Sequence, residues 1–306
     1  MKPTKKCFLT PVEDIDIWRS VTENKYAHNS LLSLKNDWHH FLSYCHAVSE
    51  SPLPAHPKVV VRYIDKVQRE RKFSTLRRYL ISINTMHKLF SQPEPGRFRE
   101  VQTFMKRCQE SKGEDQIQAD AFRHSHLEAL IKKLEKSQRL KDKRDLAIWS
   151  VMLDTMLKRS ELIKLTPSHL NKDTAVLLIE DIEYPLSELS LSLLNDWLFN
   201  ANILDGPLFR SMDRHENVAE TAMDPSAVYR VFRRASTLLD LPKHITFSGQ
   251  SSRVGASKDL SAQGLTLTEI QSAGRWRSPA MPAQYIDNKQ KSEREKARYK
   301  KKKQWL

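Results

Sequence analysis

Apolar residues at Leu31, Leu34, Trp38, Phe41 and Cys45 follow one another in alternating steps of three and four. Such a series comes together only on one face of an α-helix, so this stretch must turn a continuous apolar stripe toward a core. The period returns at Leu76, Leu80, Ile83, His87 and Phe90, and again at Leu127, Leu130, Ile131 and Leu134. Ser74 is expected to cap the second of these helices, and Ser125, with Glu128 at capping-box spacing, the third. Further helices are expected over Val59–Val67, Phe98–Cys108, Asp142–Leu157 and Leu189–Phe199. Asp224-Pro225 pairs a capping side chain with a first-turn proline, and the helix it opens carries Val228, Phe232, Ala235 and Leu239 inward. Val176–Ile179 is short and apolar and reads as a strand. The expected fold class is therefore mainly α, with a small β-element.

At 306 residues the chain suits two cores better than one. Residues 110–119 carry no apolar period and read as a linker. This divides the chain into a helical domain over 1–112, a linker over 113–120 and a second α-rich domain over 121–306. The last stretch, 286–306, holds nine basic residues against three acidic ones.

Hydrophobic residues make up 39% and charged residues 29%, the balance of a soluble globular protein. No apolar run approaches the ~20 residues that span a bilayer, and the basic start Met1–Leu9 lacks the apolar core of a secretory signal. Cys7, Cys45 and Cys108 form neither a zinc spacing nor a disulfide framework, so a reducing, cytoplasmic setting is expected, with no metal and no cofactor. The net charge of +14 favours a polyanionic partner, nucleic acid ahead of a membrane surface.

The most informative segment is Phe247-Ser248-Gly249-Gln250-Ser251-Ser252-Arg253-Val254-Gly255-Ala256. Gly274-Arg275-Trp276 follows, and Tyr285 stands nine residues after the tryptophan. This set resembles the C-terminal catalytic box of the tyrosine recombinase (phage integrase) family, most closely its Cre-like members. There a Gly-His-Ser-x-Arg segment precedes a Gly-x-Trp or Gly-His segment and then a tyrosine. The resemblance runs over nearly the whole chain and implies a helical DNA-binding domain followed by a catalytic domain, closing as a C-shaped clamp on duplex DNA. It implies metal-free transesterification, in which a tyrosine oxygen attacks phosphorus and holds the strand as a 3′-phosphotyrosyl bond. It further implies a homo-oligomer assembled on DNA, with or without an active partner recombinase, and a tail that docks on a neighbouring subunit; the composition of 286–306 equally suits a disordered basic tail that contacts phosphates.

Carried over residue by residue, the resemblance makes Tyr285 the nucleophile, Arg253 one arm of a phosphate clamp and Trp276 a phosphate-contacting donor. Gln250 stands where the family has histidine; it can donate a hydrogen bond but cannot exchange a proton near neutral pH. Ser160-Glu161-Leu162 anchors the register of the first clamp arginine, which puts Lys158 there and makes Glu161 its brace. Arg159 lies one residue on, about 100° around a helix. The lysine expected on a β-hairpin has no counterpart: the strand runs into Glu180-Asp181, and Lys172 precedes it. Three of six positions thus depart from the family pattern. Impaired cleavage is one expectation, and a recombinase-like protein that binds DNA without cutting is the other. Arg77 and Arg78 on one helix, and Arg230, Arg233 and Arg234 on another, are the expected DNA contacts.

Overall fold

The computed structural model describes residues 3–112 and 118–287. It is mainly helical, as the sequence predicts, and divides into two compact units between residues 117 and 118. Most of the expected linker, 113–117, and most of the basic tail, 288–306, lie outside the described residues.

The first unit packs α1 (Ile15–Val21), α2 (His28–Ala47), α3 (Pro57–Gln68), α4 (Phe73–Leu89) and α5 (Arg99–Ser111) around one core. The stripe read from the sequence is buried: Leu31, Trp38, Phe41 and Cys45 are fully enclosed, and Leu34 nearly so. Trp38 donates its indole N–H to the Phe8 carbonyl at 3.0 Å, which pins the N-terminal segment to α2. Ser74 does not cap α4; the helix starts at Phe73, with Lys72 before it. On this helix Arg77 is exposed, while Arg78 pairs at 3.1 Å with the buried Asp37. Asp37 also accepts from Ser82 Oγ at 2.8 Å.

The second unit is centred on α7 (Leu140–Thr155), buried along almost its entire length, with α9 (Glu188–Asn200) lying against it. Around these lie α6 (His124–Leu134), α8 (Arg159–Leu162), α10 (Pro225–Leu238), α11 (Ser251–Ala262), α12 (Leu267–Ala273) and α13 (Ala280–Tyr285). Asp224 caps α10 as expected, its carboxylate accepting from the Ser226 N–H at 2.7 Å. Ser125 does not cap α6; the helix begins one residue earlier, and the His126 ring accepts from the Arg123 N–H at 3.0 Å.

The β-element is an antiparallel sheet of β1 (Leu170–Asn171), β2 (Val176–Ile179) and β3 (Ile182–Pro185), in that order. Glu180 and Asp181, with φ of 49° and 61°, form a two-residue turn whose left-handed backbone matches the twist of the strands. A second hairpin, β4 (Arg210–Met212) with β5 (Val218–Ala222), was not signalled by the sequence pattern.

A buried ion network ties α10 to α7. Arg234 donates to Asp145 at 2.7 Å and to Asp142, and Arg144 donates to the other oxygen of Asp145 at 3.0 Å. Asp145 is fully enclosed. Removing one partner strands the remaining charges, which costs far more than the intact network contributes. Asp145→Ala is therefore expected to destabilise the second unit by about 3–5 kcal/mol in denaturant unfolding. A loss under about 1 kcal/mol would mean that solvent reaches the network.

Candidate functional site

The site is built where three helices end. The backbone of α7 stops at Met156, which takes a left-handed conformation (φ 50°) and leaves its carbonyl outside the helical ladder. Another terminus is that of α12, opened by a reciprocal Thr266–Glu269 capping box and closed at Gly274. Both free carbonyls point at one side chain. Arg253, on α11 and only 4% exposed, donates to the Met156 carbonyl and, at 2.8 Å, to that of Gly274. Burial works against its charge, so these two acceptors are what make it tolerable there.

Trp276 lies over this guanidinium, with 4.4 Å from Arg253 Cζ to the ring centroid. Gly274 makes that possible, since a Cβ there would stand 1.8 Å from the indole. Tyr285, the last residue of α13, meets Trp276 edge-on at 5.7 Å between ring centroids. Its hydroxyl oxygen accepts a hydrogen bond from the Gln250 amide. Burial pushes the Tyr285 phenol above the ordinary tyrosine value, although Gln250 and Arg253 both pull it back toward ionisation. Tyr285, Gln250, Trp276 and Arg253 thus form one contiguous cluster.

Lys158 and Glu161 form a second group beside it. Lys158 precedes α8 and donates through both its backbone N–H and its ammonium to Glu161, each at 2.8 Å. Its side chain is 65% exposed. Burial would raise the Glu161 pKa, but the hydrogen bonds and charge of Lys158, with Arg275, hold it below the ordinary value. Arg159 turns elsewhere: it packs over Gly249 and donates to the Pro225 carbonyl at 3.4 Å. The turn between β2 and β3 carries Glu180 and Asp181, so the β2–β3 hairpin offers no lysine, and Lys172 is exposed in the other turn, between β1 and β2.

The two groups are bridged by a residue that the sequence reading passed over. Arg275 sits in left-handed backbone (φ 54°) between Gly274 and Trp276. It donates to the Met156 carbonyl at 3.2 Å, the same oxygen that Arg253 uses, and to Glu161 at 3.4 Å. Its guanidinium lies 4.3 Å from the ring centre of the buried Tyr184 on β3. A charged residue inside the Gly-x-Trp segment was the available signal, but its position was treated as variable.

The other candidates divide. Arg230 and Arg233 on α10 are exposed, whereas Arg234 is held in the ion network with Asp142 and Asp145. Among the described residues, no group of three or more His, Cys, Asp or Glu side chains is placed to hold a metal ion. Among them, no helix is long and apolar enough to cross a membrane.

This architecture is that of the tyrosine recombinases. The sequence matches the phage integrase family over residues 120–292, and the chain belongs to that family. It is 24% identical over 286 residues to recombinase Cre of Escherichia phage P1, spanning 84% of this chain and 82% of the phage protein. It is equally 24% identical to an integrase/recombinase XerD homolog of Selenomonas ruminantium, over 87% of this chain and 83% of the relative. In fold it is similar to the Tn1549 transposon integrase in complex with transposon right end DNA (TM-score 0.64, 12% identity, 89% of this chain and 93% of that one). It is also similar to a lambda integrase dimer bound to a core site (TM-score 0.62, 11% identity, 93% and 77%).

Since burial dominates its environment, Tyr285 is expected to stay a neutral phenol beyond pH ~10. Subtracting the ultraviolet titration of Tyr285→Phe from that of the wild type isolates its phenolate signal. A transition at or below the free tyrosine value would show that solvent reaches the hydroxyl.

Proposed function

We propose that this chain binds duplex DNA at a specific site and cuts and rejoins a strand through Tyr285. The observation that carries this reading is the Tyr285 hydroxyl fixed by Gln250 beside the Trp276–Arg253 stack, in a chain of this family. In the step proposed, the Tyr285 oxygen forms a bond to phosphorus while the bond to the 5′-oxygen breaks. The phenol proton is lost and the departing 5′-oxygen gains one. Charge grows on the non-bridging oxygens, where Arg253 supplies guanidinium donors and Trp276 an indole N–H.

Proton transfer is the weak part of this machinery. Gln250 holds the phenol oxygen but cannot take its proton, and the acidic Glu180-Asp181 turn offers no proton donor in place of a hairpin lysine. Missing acid–base assistance typically costs about 10²–10⁴ in rate, so cleavage by the isolated chain is slow. The same observation favours a second reading, in which the chain occupies its site as an architectural or regulatory partner and leaves cutting to another recombinase.

Duplex DNA is the partner that the net charge of +14 suits. Exposed Arg77 in the first unit and Arg230 and Arg233 in the second are proposed to meet phosphates, with Arg78, next to Arg77, braced by Asp37. Assembly of several copies on DNA belongs to the same proposal.

Selection from random duplexes supplies the site, and affinity for it should fall steeply as salt rises. The cleavage claim is then tested with a nicked version of that duplex, in which the strand cannot rejoin. Replacing the scissile 5′-oxygen by sulfur gives a leaving group that needs no proton. The sulfur duplex is expected to form a covalent adduct about 10²-fold or more faster than the oxygen duplex, and Tyr285→Phe to form none. Equal rates on the two would reveal a proton donor that this account lacks. An adduct on neither would favour binding without cutting.

A further inference from the structure

Arg275 holds a charge that its own surroundings do not fully use. One terminal nitrogen of its guanidinium serves the Met156 carbonyl and Glu161. The other, Nη1, is buried and has no hydrogen-bond partner among the described residues. A buried guanidinium N–H without an acceptor is costly, and such orphans persist where something else is to be bound. The planar group cannot swing freely to relieve this, because Tyr184 lies against its face and two acceptors fix one edge.

The neighbourhood is also short of negative charge. Arg253 and Arg275 donate to one and the same carbonyl oxygen, and the Arg275 charge works against that of Arg253. The nearby carboxylate of Glu161 is shared between Arg275 and Lys158. Three cations around one anion leave an excess of positive charge at the place where Arg253 is aimed.

We propose that Arg275 is the second guanidinium of the phosphate clamp, donating from Nη1 to a non-bridging oxygen of the scissile phosphate opposite Arg253. Lys158, at the position where the resemblance places the clamp arginine, acts from across Glu161. Its ammonium is exposed and already paired, and it lacks the planar fork that a phosphate takes up in two bonds. Glu161 then holds the edge of Arg275 that faces away from the phosphate. This inference rests on the strand-cleavage reading, so its test has one arm that needs cleavage and one that does not.

The first arm compares adduct formation on the selected, nicked duplex with the same duplex carrying a methylphosphonate at the scissile position, where one non-bridging oxygen and its charge are gone. Arg275→Ala is expected to slow the phosphate reaction about 10²–10³-fold, with DNA affinity within about threefold of wild type. Lys158→Ala should cost at most about tenfold. On the methylphosphonate, Arg275→Ala and wild type should react within about tenfold of one another, because there is no longer a full charge to neutralise. A variant that had merely lost its fold, or a purely bracing arginine, would be equally slow on both duplexes and would overturn the proposal. So would a larger loss from Lys158→Ala than from Arg275→Ala.

The second arm uses inorganic sulfate on the intact chain without DNA. Sulfate should raise the melting temperature above that in chloride of equal ionic strength, and Arg275→Ala should lose a measurable part of that rise. An identical rise in both proteins overturns the clamp. An Arg275-dependent rise in a chain that forms no adduct keeps the clamp and removes the cleavage reading alone.

Discussion

Everything at the candidate site depends on burying one guanidinium. Arg253 is enclosed almost completely, and a charge in that position is tolerable only if its N–H groups find acceptors. The fold provides them by ending two helices against it: α7 turns left-handed at Met156 and α12 stops at Gly274, each freeing a carbonyl. Segments 97 and 21 residues away in the chain are thereby fixed to α11. Trp276 follows from the same constraint, since it covers the guanidinium face and rests where Gly274 has no side chain. Tyr285 in turn packs on Trp276, so its hydroxyl is placed through a chain of contacts that begins at Arg253.

The electrostatics of the cluster follow from its geometry. A phenol that burial biases toward its neutral form lies near Arg253, which shares the Met156 carbonyl with Arg275. On the proposed reading, that arrangement suits the entry of an anion and the loss of the phenol proton as charge builds on phosphorus. The stabilising half of such chemistry is well supplied, whereas the proton-moving half rests on an amide that cannot titrate. On the proposed reading, slowness comes from proton transfer and arginines handle the phosphate charge.

How much of this was legible in the sequence depends on whether the signal was local. The stripes of α2 and α4, the Asp224 cap of α10 and the Ile179–Ile182 turn region are written in neighbouring residues and were readable as periods, caps and turn chemistry. The cluster of Gln250, Arg253, Trp276 and Tyr285 was readable because a motif preserves its spacing. What escaped depends on distant partners. Arg234 looked like a solvent-facing arginine, yet its guanidinium pairs with Asp142 and Asp145, 92 and 89 residues away. Arg275 looked like a variable residue between a glycine and a tryptophan, and its place at the site is visible only once α7, α8 and β3 converge on it. Short elements such as α1 and the β4–β5 hairpin carry too few apolar residues for a period to emerge. Ser74 and Ser125 are sound capping residues in isolation, but each helix begins at the residue before the serine, which puts the serine inside the first turn.

The most direct test of the central claim is to find the atom that holds the DNA. The adduct formed on a nicked duplex can be digested with protease and nuclease, and the nucleotide-bearing peptide identified by mass spectrometry. The account predicts a single modified peptide, with the nucleotide joined through its 3′-phosphate to Tyr285. A nucleotide on any other residue, Tyr184 included, or no modified peptide from a duplex that the chain binds tightly, would contradict it.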